Sequence, residues 1–228
     1  MSSELPPDAV MLMLHEFFTK LDALLDHTGA FKYSTVGDGY IVVTGYPHPD
    51  PDHALHALRT AQAMVHIAAS VQTPAPRGEE APSPNPKDAD VLRLEAQDLA
   101  GAGAMLEVSS MGAGGSPRPT PGAVAGGDGP SPAQSPGTLQ IRVGVHSGTV
   151  AASTLGVKRN TLTLIGDTLN TASRMETLSR AGHVRITQTT LDLLPEAVRG
   201  SFVREELQVK GKGAMVTYVA DAVAAPPF

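Results

Sequence analysis

No cysteine and no tryptophan occur among the 228 residues. The first absence excludes disulfides and thiolate metal sites, and it fits a reducing compartment. The second, with few Phe and Tyr, requires an aliphatic core of Val, Leu, Ile, Met and Ala. No apolar run approaches the ~20 residues that a membrane-crossing helix needs. No basic-then-apolar signal segment opens the sequence. Basic residues are not in excess either: the formal net charge is −6, which argues against a nucleic-acid surface, since that needs a basic stripe. A soluble, cytoplasmic chain is expected, and a membrane-attached parent protein is compatible with it. The length suits one domain plus an insertion.

Residues 5–28 read as an amphipathic helix, with Val10, Leu14, Phe17, Phe18, Leu21, Leu24 and Leu25 at helical spacing, Pro6 and Pro7 at its start and Gly29 at its end. Ala30–Thr35 and Tyr40–Thr44 are rich in β-formers and flank Gly37-Asp38-Gly39, the pattern of a tight hairpin. A second helix is expected over 53–71. The composition then changes: 73–137 holds eleven Pro and eleven Gly in 65 residues. Such a stretch buries too little apolar surface to offset its chain entropy, so it reads as a low-complexity, disordered surface insertion, with a short helix over 91–100. Regular structure is expected to resume with a strand over 139–145, a turn at Ser147-Gly148, and a continuation over 149–152. A strand over 161–165, a helix over 167–179 capped by Asp167 or Thr168, a strand over 183–187 and a helix over 188–194 follow. A closing hairpin, 202–209 with 215–220, turns at Gly211-Lys212-Gly213. Strands and helices mixed in this way suggest an α+β sandwich.

Four stretches carry the chemistry: STVGDGYIVVTG from Ser34, IRVGVHSGTVAASTLG from Ile141, IGDTLNTASRMET from Ile165, and LQVKGKGAMVTYV from Leu207. Asn170 and Arg174 stand four apart in a helical segment and so share one face. An amide that holds an oxygen, beside a guanidinium that neutralises phosphate, suits phosphoryl transfer; a plain surface Asn and Arg is the simpler alternative. Asp38 on a hairpin tip suits a hard cation, although Gly-Asp-Gly also suits a turn for its backbone alone. Lys210, with Lys212 second, offers a point charge to phosphate at a Gly-rich turn; charged hairpin turns are also common on exposed sheets. The histidines have no metal-ligand spacing, and His146 reads as structural. Glu205 and Glu206 read as a solvated face.

Together and in this order, the four stretches resemble the class III nucleotidyl cyclase catalytic domain, that of the adenylyl and guanylyl cyclases. The resemblance covers most of residues 5–72 and 138–220. It implies a ferredoxin-like α/β sandwich with a hairpin arm, and an active site built across a head-to-tail homodimer or heterodimer. The reaction implied joins the 3′-oxygen of GTP or ATP to its own α-phosphorus and expels pyrophosphate. Asp38 matches one of two metal-binding aspartates for Mg²⁺ or Mn²⁺. Asn170 matches the residue that positions the ribose, and Arg174 the one that neutralises the α-phosphate. Lys210 matches the triphosphate lysine, with Lys212 the runner-up. Ser34 and Thr163 match the positions that face the base. Ser34 stands where adenylyl cyclases carry Lys and guanylyl cyclases Glu; Thr163 leans towards ATP, while the wider wording of GDTLNTASRME and GYIVVTG leans towards GTP, the slightly favoured substrate. An RNA-binding sheet on a ferredoxin-like core conflicts with the acidic charge and the missing aromatic platforms.

The family's opening strand, with its other metal aspartate in a Phe-Asp-Ile segment, has no counterpart ahead of the first helix. Its loss is expected to leave the centre of the sheet short and the two-metal site with one protein carboxylate. The expectation is a cyclase domain that needs a longer form or a partner chain. The alternative is an inactive cyclase-like module that dimerises with a true cyclase and regulates it.

Overall fold

The computed structural model describes residues 7–36, 38–73, 100–111, 137–155 and 161–222. Helix α1 (Pro7–Thr28) opens on a proline, which fits a first turn because that position has no helical N–H bond to lose. Its Met13, Phe17, Leu21 and Leu25 recur every four residues and are buried. Strands β1 (Phe31–Val36) and β2 (Gly39–Thr44) form the expected antiparallel hairpin. Asp22 of α1 fastens that hairpin: it accepts from Lys32 of β1 at 2.8 Å and from the buried Tyr40 of β2. Helix α2 (His53–Ala69) buries a face of Ala57, Leu58, Ala61, Met64, Val65 and Ala68.

Strand β3 (Ala100–Met111) changes the sequence-based picture. These twelve residues lie inside the stretch assigned to an irregular surface insertion, yet they form a strand in the interior of the sheet. β3 pairs antiparallel with β2 on one side and, over its whole length, with β4 (Gln140–Leu155) on the other. Both α2 and α3 (Asp167–Leu178) approach it. The centre of the sheet is therefore closed, against the expectation that it would be short of a strand. Low β-propensity hid it: AGAGA is a poor strand former when exposed, but backbone pairing on both sides satisfies its N–H and C=O groups regardless of side chain. The expected helix over 91–100 lies outside the described residues, apart from Ala100, which begins β3.

β4 is a single strand. The Ser147-Gly148 turn expected from sequence is absent, and both residues continue the pairing with β3. β5 (Thr161–Ile165) pairs with the far end of β4, and α3 crosses back to β6 (His183–Thr187), parallel to β4. α4 (Gln188–Leu193) and α5 (Glu196–Arg199) follow, the latter unforeseen. β7 (Val203–Val209) and β8 (Gly213–Asp221) close the sheet, in the order β1-β2-β3-β4-β6-β8-β7, with β5 attached to β4 alone.

Alternation along β4 sorts the two faces. Ile141, Val143 and Val145 join α1, α2, Val184 and Ile186 in the main core. On the opposite face Val150 joins Val43, Leu164 and Ala172 of α3 in a smaller one. Burying a side chain such as Phe17 completely is worth about 1.5–3 kcal/mol, and α1 contributes three or four such residues.

Candidate active site

α3 lies directly on β4, and two glycines of one strand face make this possible. A Cβ on Gly144 would meet the Glu176 backbone N at 2.0 Å and the Ala172 carbonyl O at 2.5 Å. A Cβ on Gly148 would meet Thr168 Oγ1 at 2.6 Å. Gly148 is thus a landing place for the helix and not a turn residue. Arg142, on the same face, reaches Glu176 of α3 with Nε to Oε1 at 2.8 Å.

With Thr168, Thr171, Ala172, Met175 and Glu176 turned inward and buried, the outward face carries Asp167, Asn170 and Arg174. These occupy positions i, i+3 and i+7, one stripe along the helix. Asp167 and Asn170 are exposed and Arg174 is half-buried. Neither expected cap is used: Gly166 is the N-cap. The Thr168 hydroxyl instead donates to the Thr149 carbonyl at 2.7 Å, tying the helix start to β4.

The Asp167 carboxylate accepts from Lys212 Nζ at 2.5 Å. That hydrogen bond and the lysine's charge hold Asp167 below the usual carboxylate range. Lys212 reaches α3 from the β7–β8 turn, where its N–H donates to the Val209 carbonyl. Gly211 and Gly213 have φ of +80° and +73°, which favours glycine on either side of the lysine. Of the two lysines named from sequence, the runner-up Lys212 pairs with Asp167 at the start of the Asn170–Arg174 helix; Lys210 is exposed at the same turn.

The same hairpin grips the other end of α3. Arg185 of β6, fully buried, donates to the Leu178 carbonyl at 3.0 Å, Thr217 at 2.8 Å and Glu205 at 2.8 Å. Arg180 also donates to Glu205 at 2.8 Å. Burial pushes the Glu205 carboxyl up, but Arg185 and Arg180 outweigh it and hold the group below its ordinary value. Glu205 is therefore part of an ion network and not a solvated face, whereas Glu206 is exposed as expected.

His146 sits behind the first turn of α3. Its Nδ1 shares a hydrogen bond of 2.8 Å with the Thr187 hydroxyl. Burial, then the nearby Lys212 charge, hold it below the usual imidazole range, with Asp167 opposing.

Ser34 and Thr163 lie half-buried on β1 and β5. Their strands are joined at the adjacent residues, where the Leu164 N–H donates to the Tyr33 hydroxyl at 3.1 Å. Asp38 sits half-buried in the β1–β2 turn, with Gly37 outside the described residues. Among the described residues no group of three or more His, Asp or Glu comes together to hold a metal. No helix among the described residues is long and apolar enough to cross a membrane.

The profile of the adenylate and guanylate cyclase catalytic domain matches residues 1–222. The chain belongs to this cyclase family. Atrial natriuretic peptide receptor 2 of Homo sapiens is 28% identical over 222 residues, covering 96% of this chain and 16% of that protein. Guanylate cyclase 32E of Drosophila melanogaster is 29% identical over 215 residues, covering 93% and 13%. The cyclase chain thus spans less than a fifth of these relatives' length. Among solved structures, the guanylate cyclase domain of RhGC from Catenaria anguillulae, in complex with GTP, superposes with a TM-score of 0.60 at 28% identity, covering 96% of this chain and 86% of that one. The expected cyclase-type α/β architecture is the observed one. What sequence reasoning missed was Asp167 as the partner of Lys212 and the glycine pair under α3; the even spacing of Gly144, His146 and Gly148 was the available signal for the latter.

Proposed function

We propose that the chain is a purine nucleotide cyclase domain, converting GTP, or with less preference ATP, to the 3′,5′-cyclic monophosphate and pyrophosphate in intracellular signalling. The observation that carries this reading is the outward stripe Asn170–Arg174 with Lys212 fastened at its N-terminal end. An amide for the ribose oxygen, a guanidinium for the α-phosphate and an ammonium for the outer phosphates then lie along one helix. Positioning and charge neutralisation are what such a transfer asks of a protein. The GTP found in the related fungal cyclase domain agrees with the preference for that base.

In this reading Asp38 would be one carboxylate holding Mg²⁺ or Mn²⁺, which when bound activates the attacking hydroxyl and screens the phosphates. A second carboxylate would come from a longer form or from a partner cyclase domain in a head-to-tail dimer. Ser34 and Thr163 would face the base, and Lys210 would assist Lys212. The domain would work on the cytoplasmic side, attached to a membrane or not according to its parent protein. The second reading is an inactive module that dimerises with a cyclase partner and regulates it; it would hold if Asp38 had no second carboxylate beside it.

Turnover with Mn²⁺ separates the two readings. The chain is assayed alone and mixed with a cyclase chain whose Asn/Arg pair is disabled, with GTP and ATP in separate tubes. Activity confined to the mixture assigns Asn170, Arg174 and the lysine as competent. Silence in both tubes, with dimers present, leaves the regulatory module.

A further inference from the structure

The Lys212–Asp167 pair is unequal. Lys212 is three-quarters covered, with 25% of its side chain exposed, while Asp167 is 74% exposed. The lysine is carried on a turn fixed by its own N–H to the Val209 carbonyl, whereas the carboxylate faces water and would be rehydrated at little penalty on release. Asp167 is also the first residue of α3, where a negative charge is favoured by the helix dipole. A carboxylate that occupies an ammonium at a helix start, at one end of an amide–guanidinium stripe, stands where a phosphate oxygen would gain the same partners.

We propose that Asp167 is a positioning residue that acts as a stand-in anion: it holds Lys212 over the first turn of α3 and yields it to a polyphosphate lying along Asn170 and Arg174. This rests on the reading of that stripe as a nucleotide site. The carboxylate keeps the lysine oriented when no phosphate is bound, and it competes with the phosphate for it. Nucleotide affinity is set lower than the cationic groups alone would give, which favours turnover over product retention.

The test is a titration of the full chain with inorganic tripolyphosphate, followed by calorimetry. Asp167→Asn removes the competing charge but keeps a side chain able to accept from Thr171, which lies within hydrogen-bond range of Asp167. Binding tightens about fivefold, the scale of an exposed pair removed. Asp167→Glu, which restores the carboxylate, returns the affinity towards that of the unaltered chain. In a Lys212→Ala background, Asp167→Asn produces no tightening beyond the general loss of one negative charge, measured with the exposed Asp192→Asn as the reference. A purely structural Asp167 would weaken binding when replaced, so unchanged or weaker binding by Asp167→Asn, in a chain that binds tripolyphosphate, overturns the proposal and leaves the cyclase reading standing. Absence of binding by the unaltered chain, with Mn²⁺ and the complementing cyclase chain present, overturns both.

Discussion

Adding one methyl group under α3 tests whether that helix is held where its chemistry needs it. In Gly144→Ala the new Cβ would lie 2.0 Å from the Glu176 nitrogen and 2.7 Å from its Cα. Ordinary contact begins near 3.4 Å, and the atoms met are helix backbone, which cannot rotate away. The helix must lift by roughly 1 Å or more, or the strand must sink into the main core; overpacking of this kind costs typically about 1–3 kcal/mol. For a chain of this size that is a fall in Tm of about 2–4 °C per kcal/mol. The same lift moves Asn170 and Arg174 relative to the hairpin that bears Lys212, and a displacement near 1 Å can reduce turnover about 100-fold. Thermal denaturation reads the first effect and cyclic nucleotide formation in the complementing mixture reads the second. A Gly144→Ala chain that melts and turns over like the unaltered one would refute the claim that α3 is seated on this glycine.

Arg185→Ala should destabilise the fold by about 3–5 kcal/mol, because Leu178 O, Thr217 and Glu205 lose a buried cationic partner; a loss of unfolding free energy under ~1 kcal/mol, measured by urea denaturation, would contradict this. His146 gives a pH signature. Its folded pKa lies below the unfolded value of 6.5, so the unfolded chain binds the proton first as pH falls. Its contribution to stability is complete above pH 6.5 and diminishes below it, down to the folded pKa; His146→Gln should flatten that part of a stability–pH curve. Ser34→Glu should move the GTP-to-ATP ratio of turnover towards GTP, and Ser34→Lys towards ATP, each by about tenfold or more; two unchanged ratios would remove Ser34 from the base site.

Most elements were legible because their signals are local. α1, α2, the β1–β2 hairpin and the β7–β8 hairpin follow from apolar spacing and from glycine-marked turns, and Asn170 and Arg174 share a face by helical geometry alone. The failures share a cause. β3 looks like a linker because it opens on AGAGA inside a Pro- and Gly-rich stretch, and only its neighbours on both sides make it a strand. Ser147-Gly148 looks like a turn because glycine commonly marks one, and only the helix lying across β4 reveals that the glycine is there for want of a side chain. Asp167 looks like a cap, and only a lysine 45 residues later shows its other partner. Each of these depends on a tertiary contact that no window of sequence contains.

β3 also governs the order in which the chain can fold. Among the described residues it alone bridges β2 and β4 by hydrogen bonds. Its register with β2 joins Thr44 to Ala104, sixty residues apart, while β4 follows it in the chain. Until residues 100–111 are in place, the sheet is two separate ribbons, and a two-stranded hairpin such as β1–β2 is marginal alone. Pairings of such long range are slow to form. During synthesis, α1, the first hairpin and α2 therefore emerge before the strand that completes them, with one backbone edge of β2 unpaired until it arrives. Among the described residues this is the one seam of strand pairing between the two ribbons, and hydrogen exchange along β3 would report when the halves have become one protein.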